Sequence, residues 1–189
     1  KKLPDLDVKG KVVMRLAPYP SGALHIGNAY PYIINDEYTK KYNGKLLLVI
    51  DDTIGSEEKT ISKEAYKLIP EGLEWLNINF DKKIIYKSDR LNIYYEYAKE
   101  LIKKSKAYVC FCDALKLREN RAKSIECSCR NNSVENNLVE FDNMLAKYKE
   151  SQATLRLKTD MHHPNPAFRD RVLFRISERE HPKIGKKYK

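Results

Sequence analysis

After an aperiodic polar arm over residues 1–10, the chain turns apolar, and Val12-Val13-Met14-Arg15-Leu16-Ala17 reads as a buried strand. A run of turn residues follows, Pro18-Tyr19-Pro20-Ser21-Gly22, and helical spacing begins near Leu24 or His25. Ala29, Ile33, Ile34, Glu37, Tyr38 and Tyr42 then recur at i, i+4 intervals around an apolar stripe. Asn43-Gly44 supplies a left-handed stop. Lys45-Leu46-Leu47-Leu48-Val49-Ile50 is apolar without alternation, the pattern of a parallel strand covered on both faces. Strand, helix and strand make a βαβ unit, and Asp51-Asp52-Thr53 falls at the carboxyl end of its second strand, where open α/β sheets bind ligands.

The pattern continues with a polar loop from Gly55 to Thr60, which holds Glu57-Glu58-Lys59. Ser62 is placed to cap a helix reaching Leu76, with Pro70 and Gly72 as interruptions and Trp75 as a core residue. Ile84-Ile85-Tyr86 reads as a third strand. Ser88 opens a long amphipathic helix to Ser105, with Leu91, Tyr94, Tyr95, Ala98, Leu101 and Ile102 on one face. The texture changes after Lys106, which divides the chain into 1–106 and 107–189. The second part offers a polar helical stretch from Asp113 to Glu126, too short for its own core. A helix from Val134 to Tyr148 follows, with Leu138, Phe141, Leu145 and Tyr148 on one face, then a strand from Ala153 to Lys158.

With 33% charged and 42% hydrophobic residues, the 189-residue chain has the composition of a soluble globular protein. No run has bilayer length and the start lacks a signal-like apolar segment, so a cytoplasmic protein without a membrane partner is expected. Net charge is +10, and from Arg156 onward ten Lys or Arg face four Asp or Glu. Such an excess attracts a phosphate-rich partner, and a solubility surface is the plain alternative.

Two constellations carry chemistry. A loop of Ser, Gly and Pro between a strand and a helix N-terminus is a ready anion site, because first-turn N–H groups are unpaired and the dipole favours negative charge. There His25 and Asn28 lie three apart on one face, with Gly27 between them as a point of close backbone approach. The second constellation is cysteine. All four cysteines fall in two Cys-x-Cys pairs, Cys110 with Cys112 and Cys127 with Cys129. In a cytoplasmic chain structural disulfides are disfavoured, and paired thiolates at two loci suit a tetrahedral structural zinc ion. Buried or redox-active thiols, or a site that has lost its metal, are the alternatives. His162 and His163 have no acidic or Cys partner at ligand spacing and read as loop residues or RNA-backbone contacts.

The order Arg15-Leu16-Ala17-Pro18-Tyr19-Pro20-Ser21-Gly22 before His25-Ile26-Gly27-Asn28 resembles the nucleotide-binding motif of class I aminoacyl-tRNA synthetases, where the tetrapeptide is His-Ile-Gly-His. The leading octet narrows the resemblance to glutamyl-tRNA synthetases, with the glutaminyl enzymes as the neighbouring alternative. Glu74-Trp75-Leu76, Tyr86-Lys87-Ser88-Asp89-Arg90 and Asn165-Pro166-Ala167-Phe168-Arg169-Asp170 extend it over nearly the whole chain, with the closing segment most like archaeal and eukaryotic members. The sequence also departs from the family. Glutamyl enzymes usually read Arg-Ile-Glu-Asp-Thr-Asp-Pro where this chain has Val49-Ile50-Asp51-Asp52-Thr53-Ile54-Gly55, and the shorter Asp51 resembles the glutaminyl branch.

The resemblance implies an α/β fold: the first half of a Rossmann-like nucleotide-binding domain with a parallel sheet, then an inserted subdomain that binds the tRNA acceptor end and in some members holds zinc. It implies activation of glutamate by ATP with Mg²⁺ and transfer to the 3′ end of tRNA. Ser21, Gly22, His25, Gly27 and Asn28 would serve ATP, with His25 and Asn28 meeting the developing charge at phosphorus. Arg15, Ala17 and Asp51 would serve the amino acid, Arg15 through its bidentate fork and Asp51 through the α-ammonium. Members of the family continue past the segment His181 to Tyr188 into a second half with another phosphate-gripping loop and an anticodon-binding domain. Neither lies within these residues, so the chain is expected to be a fragment inactive alone, or a zinc-stapled RNA-binding piece. Oligomeric state is left open.

Overall fold

The computed structural model describes residues 3–53 and 60–187. The Ile54 departure, the loop with Glu57-Glu58-Lys59 and Tyr188 lie outside them. Contacts divide the chain into two units. One runs to Arg90 and takes in His181–Ile184; the other is Leu91–Glu180 with residues from Gly185 on.

The first unit is a parallel sheet with the order β1 (Val13–Leu16), β2 (Lys45–Ile50), β3 (Ile85–Tyr86). Helices α1 (Ile26–Lys41) and α2 (Ala65–Trp75) make the connections. β2 spans the expected residues and buries Leu46, Leu48, Val49 and Ile50, as a central parallel strand must. β1 pairs only with β2 among the described residues and alternates, leaving Val13 and Arg15 exposed and Leu16 buried, where a fully buried strand was expected. The core gathers Leu16, Tyr32, Leu48, Ile50, Ile69 and Leu73.

Both helices correct the sequence reading in detail. α1 buries Ala29, Tyr32, Asp36 and Thr39, not the Ile33 and Ile34 stripe, and Ile33 is exposed. The buried face tolerates polar residues because they are satisfied there. Asp36 accepts from Asn79 N–H at 3.2 Å and pairs with Lys40 at 2.6 Å, while the Thr39 hydroxyl donates to the Asn35 carbonyl at 2.7 Å. α2 continues through Pro70 and Gly72, and Ser62 hydrogen-bonds the Glu64 carboxylate in place of a helix N–H. Trp75 is 85% exposed and outside the core, because α2 buries Ala65, Ile69 and Leu73 at four-residue spacing and Trp75 lies two residues off that stripe.

The end of α1 is set by a Schellman turn. Gly44 N–H donates to Thr39 O at 2.8 Å and Asn43 N–H to Lys40 O at 3.2 Å, with Asn43 in the left-handed region at φ 47°. Gly44 itself is required for a different reason. A Cβ there would sit 2.5 Å from the main-chain oxygen of Val12, where Lys45 N–H closes the first rung of the sheet.

The second unit is antiparallel, with the order β4 (Ala107–Cys110), β5 (Thr154–Leu157), β6 (Val172–Arg175). Helices α3 (Leu91–Lys103) and α5 (Val134–Ala146) supply its core, and α4 (Ala114–Lys123) lies between the cysteine pairs. Ala98, Ile102, Val109, Phe141, Met144 and Leu155 form one cluster, with Phe141 set edge-on against Tyr95 and Phe174. The expected boundary after Lys106 and the observed one after Arg90 differ by α3 and the turn that follows, since Ala98 and Ile102 share the core of Val109 and Phe141. Ser88 does not open α3. It lies in a 3-10 turn, Ser88–Arg90, and its hydroxyl is committed to Asp52.

Candidate active site and cysteine cluster

The three parallel strands of the first unit send their carboxyl ends to one edge, and the residues there come from three separate loops. After β1 the motif loop is tied down by backbone bonds: Asp51 N–H to Pro18 O at 2.8 Å and Ser62 N–H to Pro20 O at 2.9 Å. The loop is thus pinned to the tip of β2 on one side and to the approach of α2 on the other. Ser21 is exposed and Gly22 half-buried in this loop, while Arg15 and Ala17 flank buried Leu16.

His25 is the N-cap of α1, and it caps reciprocally with Asn28. His25 Nδ1 accepts from Gly27 N–H at 3.1 Å, and Asn28 Oδ1 accepts from His25 N–H at 3.1 Å. Because Nδ1 accepts, the ring proton sits on Nε2; because Asn28 Oδ1 is used, its NH₂ is the free end. Two side-chain donors are therefore held at a helix N-terminus that is itself electropositive. Gly27 has a role the sequence does not reveal. A Cβ at this position would stand 2.9 Å from His25 Cε1 and 3.0 Å from Nδ1, so glycine is what lets the imidazole fold back onto the first turn.

At the tip of β2 the two aspartates differ. Asp52 is fully buried and accepts from Ser88 N–H at 2.9 Å, the Ser88 hydroxyl at 2.7 Å and the Tyr66 hydroxyl at 3.0 Å. Burial and this carboxylate push the Tyr66 phenol well above its ordinary range. Asp51 is half-buried, 2.7 Å from Lys87 Nζ and 3.2 Å from the Thr53 hydroxyl. Two further residues at this tip escape a sequence reading. Lys87 follows β3 directly. His181, 129 positions from Asp52, places Nε2 at 2.5 Å from the Asp52 main-chain oxygen. Its Nδ1 accepts from Lys183 N–H at 3.1 Å and Ile184 N–H at 3.3 Å, so Nε2 donates.

In the second unit the four cysteine sulfurs lie within 4.8 Å of one another. Cys110 ends β4, Cys127 caps a short 3-10 turn at Ser128–Asn131, and Cys129 lies within that turn. All four are free thiols. Cys110 and Cys127 are 3.8 Å apart, about the edge of a tetrahedron with metal–sulfur bonds of about 2.3 Å. The hydrogen bond from Cys110 holds the Cys127 thiol well below its usual range, aided by the Tyr108 hydroxyl and the Arg156 guanidinium against the effect of burial. The same bond and burial push Cys110 up. α4 spans the gap between the pairs, N-capped by Asp113 on Lys116 N–H at 2.7 Å and ended by Ser124 at φ 59°. His162 and His163 join no metal-type cluster among the described residues, and the His163 ring lies tilted against Phe168, centroids 4.9 Å apart.

The basic C-terminal segment is not wholly a surface feature. Arg156 and Arg169 are buried, and Arg169 donates to the Arg121 carbonyl at 2.6 Å and the Ala122 carbonyl at 3.3 Å, capping the last turn of α4. These guanidiniums are spent on bonds within the subdomain.

A parallel sheet with a His–Gly–Asn cap at the first strand–helix junction marks an α/β fold of class I synthetase type. The family model "tRNA synthetases class I (E and Q), catalytic domain" matches residues 11–189, and the chain belongs to that family. The chain is 50% identical over 182 residues to glutamate–tRNA ligase of Methanococcus maripaludis, covering 96% of this chain and 32% of that protein. It is 47% identical over 190 residues to glutamate–tRNA ligase of Thermoplasma acidophilum, covering 100% of this chain and 34% of that protein. The chain thus spans about a third of the length of the curated relatives it matches. The crystal structure of glutamate–tRNA synthetase from Elizabethkingia anophelis superposes with a TM-score of 0.57 at 22% identity, over 79% of this chain and 33% of that chain, a likeness of fold.

Proposed function

We propose that the chain is the part of a glutamate–tRNA ligase that holds half of the adenylate site and the subdomain for the tRNA acceptor end. The observation that carries this reading is 50% identity over 182 residues to a curated glutamate–tRNA ligase. The chemistry needs no protein nucleophile. The α-carboxylate of glutamate attacks the α-phosphate of ATP and pyrophosphate leaves; the terminal ribose hydroxyl of tRNA, losing its proton, then takes the glutamyl group and AMP leaves. The protein's part is position and charge. His25 Nε2–H and the Asn28 amide donate to phosphate oxygens at the positive end of α1, with Ser21, Gly22 and Gly27 shaping the loop. Asp51 receives the α-ammonium, and Arg15, beside Ala17, pairs with the side-chain carboxylate. Mg²⁺ accompanies ATP and offsets phosphate charge.

Cys110, Cys112, Cys127 and Cys129 hold a structural zinc ion in this reading, supported by four sulfurs within 4.8 Å. Four protein thiolates leave no open position on the metal, so its contribution is to fix α4 between β4 and the 3-10 turn.

The test is ATP–pyrophosphate exchange with glutamate and with glutamine, on the 189-residue chain and on one continued through the length of its relatives. Glutamate-dependent exchange by the longer chain alone is expected. Exchange with glutamine in place of glutamate overturns the amino acid assigned. Exchange by the 189-residue chain overturns the claim that it is half a site.

A further inference from the structure

We infer that Arg156 is a positioning residue for the cysteine cluster, the buried counter-ion and N–H donor that holds the Cys110 and Cys127 sulfurs in the arrangement a metal requires. The inference rests on the reading of the four cysteines as a zinc site.

Arg156 is 1% exposed, and its guanidinium is permanently charged. A buried charge must be met by an opposite one. Asp170 is the nearest carboxylate, and it is already engaged. Its Oδ2 takes Arg130 Nη1 and the Tyr108 hydroxyl at 2.7 Å, and its Oδ1 takes Thr159 N–H at 2.7 Å. Arg156 Nη2 stands 4.0 Å from that carboxylate and has no hydrogen-bond partner among the described residues. Arg130 is met directly by Asp170 and by Glu126 at 3.1 Å, whereas Arg156 stands off from Asp170 and turns Nη1 to two sulfurs.

The geometry fits that division. Arg156 Nη1 lies 3.6 Å from Cys110 Sγ and 3.6 Å from Cys127 Sγ, bridging one cysteine from each pair. Nε is spent on the Asp170 carbonyl at 3.2 Å, which fixes the plane of the fork. The backbone explains how an arginine reaches this place. Arg156 is opposite Tyr108 in the β4–β5 ladder, and the β5–β6 register shifts between Leu155 and Arg156, an irregularity that re-aims side chains. Its guanidinium then lies over the Tyr108 ring, 5.4 Å from the centroid.

A divalent ion with four thiolates carries a net charge of −2, which a buried site must offset. Arg156 supplies one positive charge at the two ligands it touches. Donors in this position orient the ligand sulfurs and temper their charge once the metal is bound.

The experiment compares Arg156→Met and Arg156→Lys with wild type by competition for Zn²⁺ against a chromophoric chelator, and by the sulfur-to-metal charge-transfer band of the Co²⁺ form. Arg156→Met is expected to weaken zinc by about 10–100-fold and to move the band to lower energy, since unbonded sulfur is easier to oxidise. Arg156→Lys, which keeps the charge without the fork, is expected to fall between, and it serves should the Met variant not fold. A cobalt spectrum and chelator competition unchanged in both variants overturn the role of Arg156 and leave the zinc reading intact. Wild type that takes up neither metal overturns both.

Discussion

Asp51 and Asp52 are neighbours in the chain and share no side-chain partner among the described residues: Asp52 is sealed among Ser88 and Tyr66, and Asp51 opens beside Lys87 and Thr53. Their variants should separate accordingly. Asp52→Ala strands three buried donor groups and is expected to lower stability by about 3 kcal/mol, read by chemical denaturation. Asp51→Asn removes an ion pair open to solvent, worth about 1 kcal/mol at most. In a chain that performs pyrophosphate exchange it should raise the KM for the amino acid at least about tenfold, one lost charge-assisted contact. A KM that stays put would remove Asp51 from the substrate.

Gly44 and Gly22 offer a second contrast. Gly44→Ala drives a methyl to 2.5 Å from the Val12 oxygen and should cost about 1–3 kcal/mol. Gly22→Ala meets nothing within 4 Å and should stay within about 0.5 kcal/mol. Equal melting temperatures for the two would refute the close approach of β1 to the turn after α1.

Gly27→Ala separates function from stability. Alanine gains about 1 kcal/mol of helix propensity, and displacing the His25 ring from its cap loses about as much. The melting temperature is therefore expected to hold while ATP affinity, measured by calorimetry on an active chain, falls. A variant that binds ATP as wild type does would show that the ring's position is irrelevant to the phosphates.

The Lys45 ammonium, 2.5 Å from Asp81, holds that carboxyl below its ordinary range, with the Lys83 N–H adding to the effect. A depressed folded pKa gives stability that is present above the unfolded value of about 4 and is lost as pH falls through the folded one. The stability gap between wild type and Asp81→Asn should therefore be level from neutral pH to about 5 and close below about 4. A gap that widened in acid would reverse the sign assigned to this pair.

Protein purified without chelator is expected to contain about one zinc per chain, and a strong chelator should expose the thiols of Cys112 and Cys129 and loosen α4 in hydrogen exchange. Less than half an equivalent of zinc by elemental analysis would count against the site.

The sequence exposed what is local and left hidden what is assembled. β2 could be read residue for residue because a central parallel strand is apolar throughout, and the cysteine pairs because spacing itself is the signal. Trp75 and the Ile33 stripe were misplaced since hydrophobicity does not say which side of a helix faces the core, and Asp36 shows a polar residue taking that side when its partners are there. Arg156 looked like part of a basic surface because charge counts carry no depth. His181 lies in a segment the family shares, yet nothing local points to Asp52, its partner being 129 residues away.

That separation has a consequence for how the protein is made. Translation delivers the tip of β2 long before His181, and at about 5–20 residues per second the interval is on the order of ten seconds. During it the sheet of the first unit can form from contacts already synthesised, while the Asp52 carbonyl waits for its donor and the whole of Leu91–Glu180 emerges. The strand end that carries Asp51 is thus the last part of the first unit to be locked, and a nascent chain released before His181 would present that tip without its clamp.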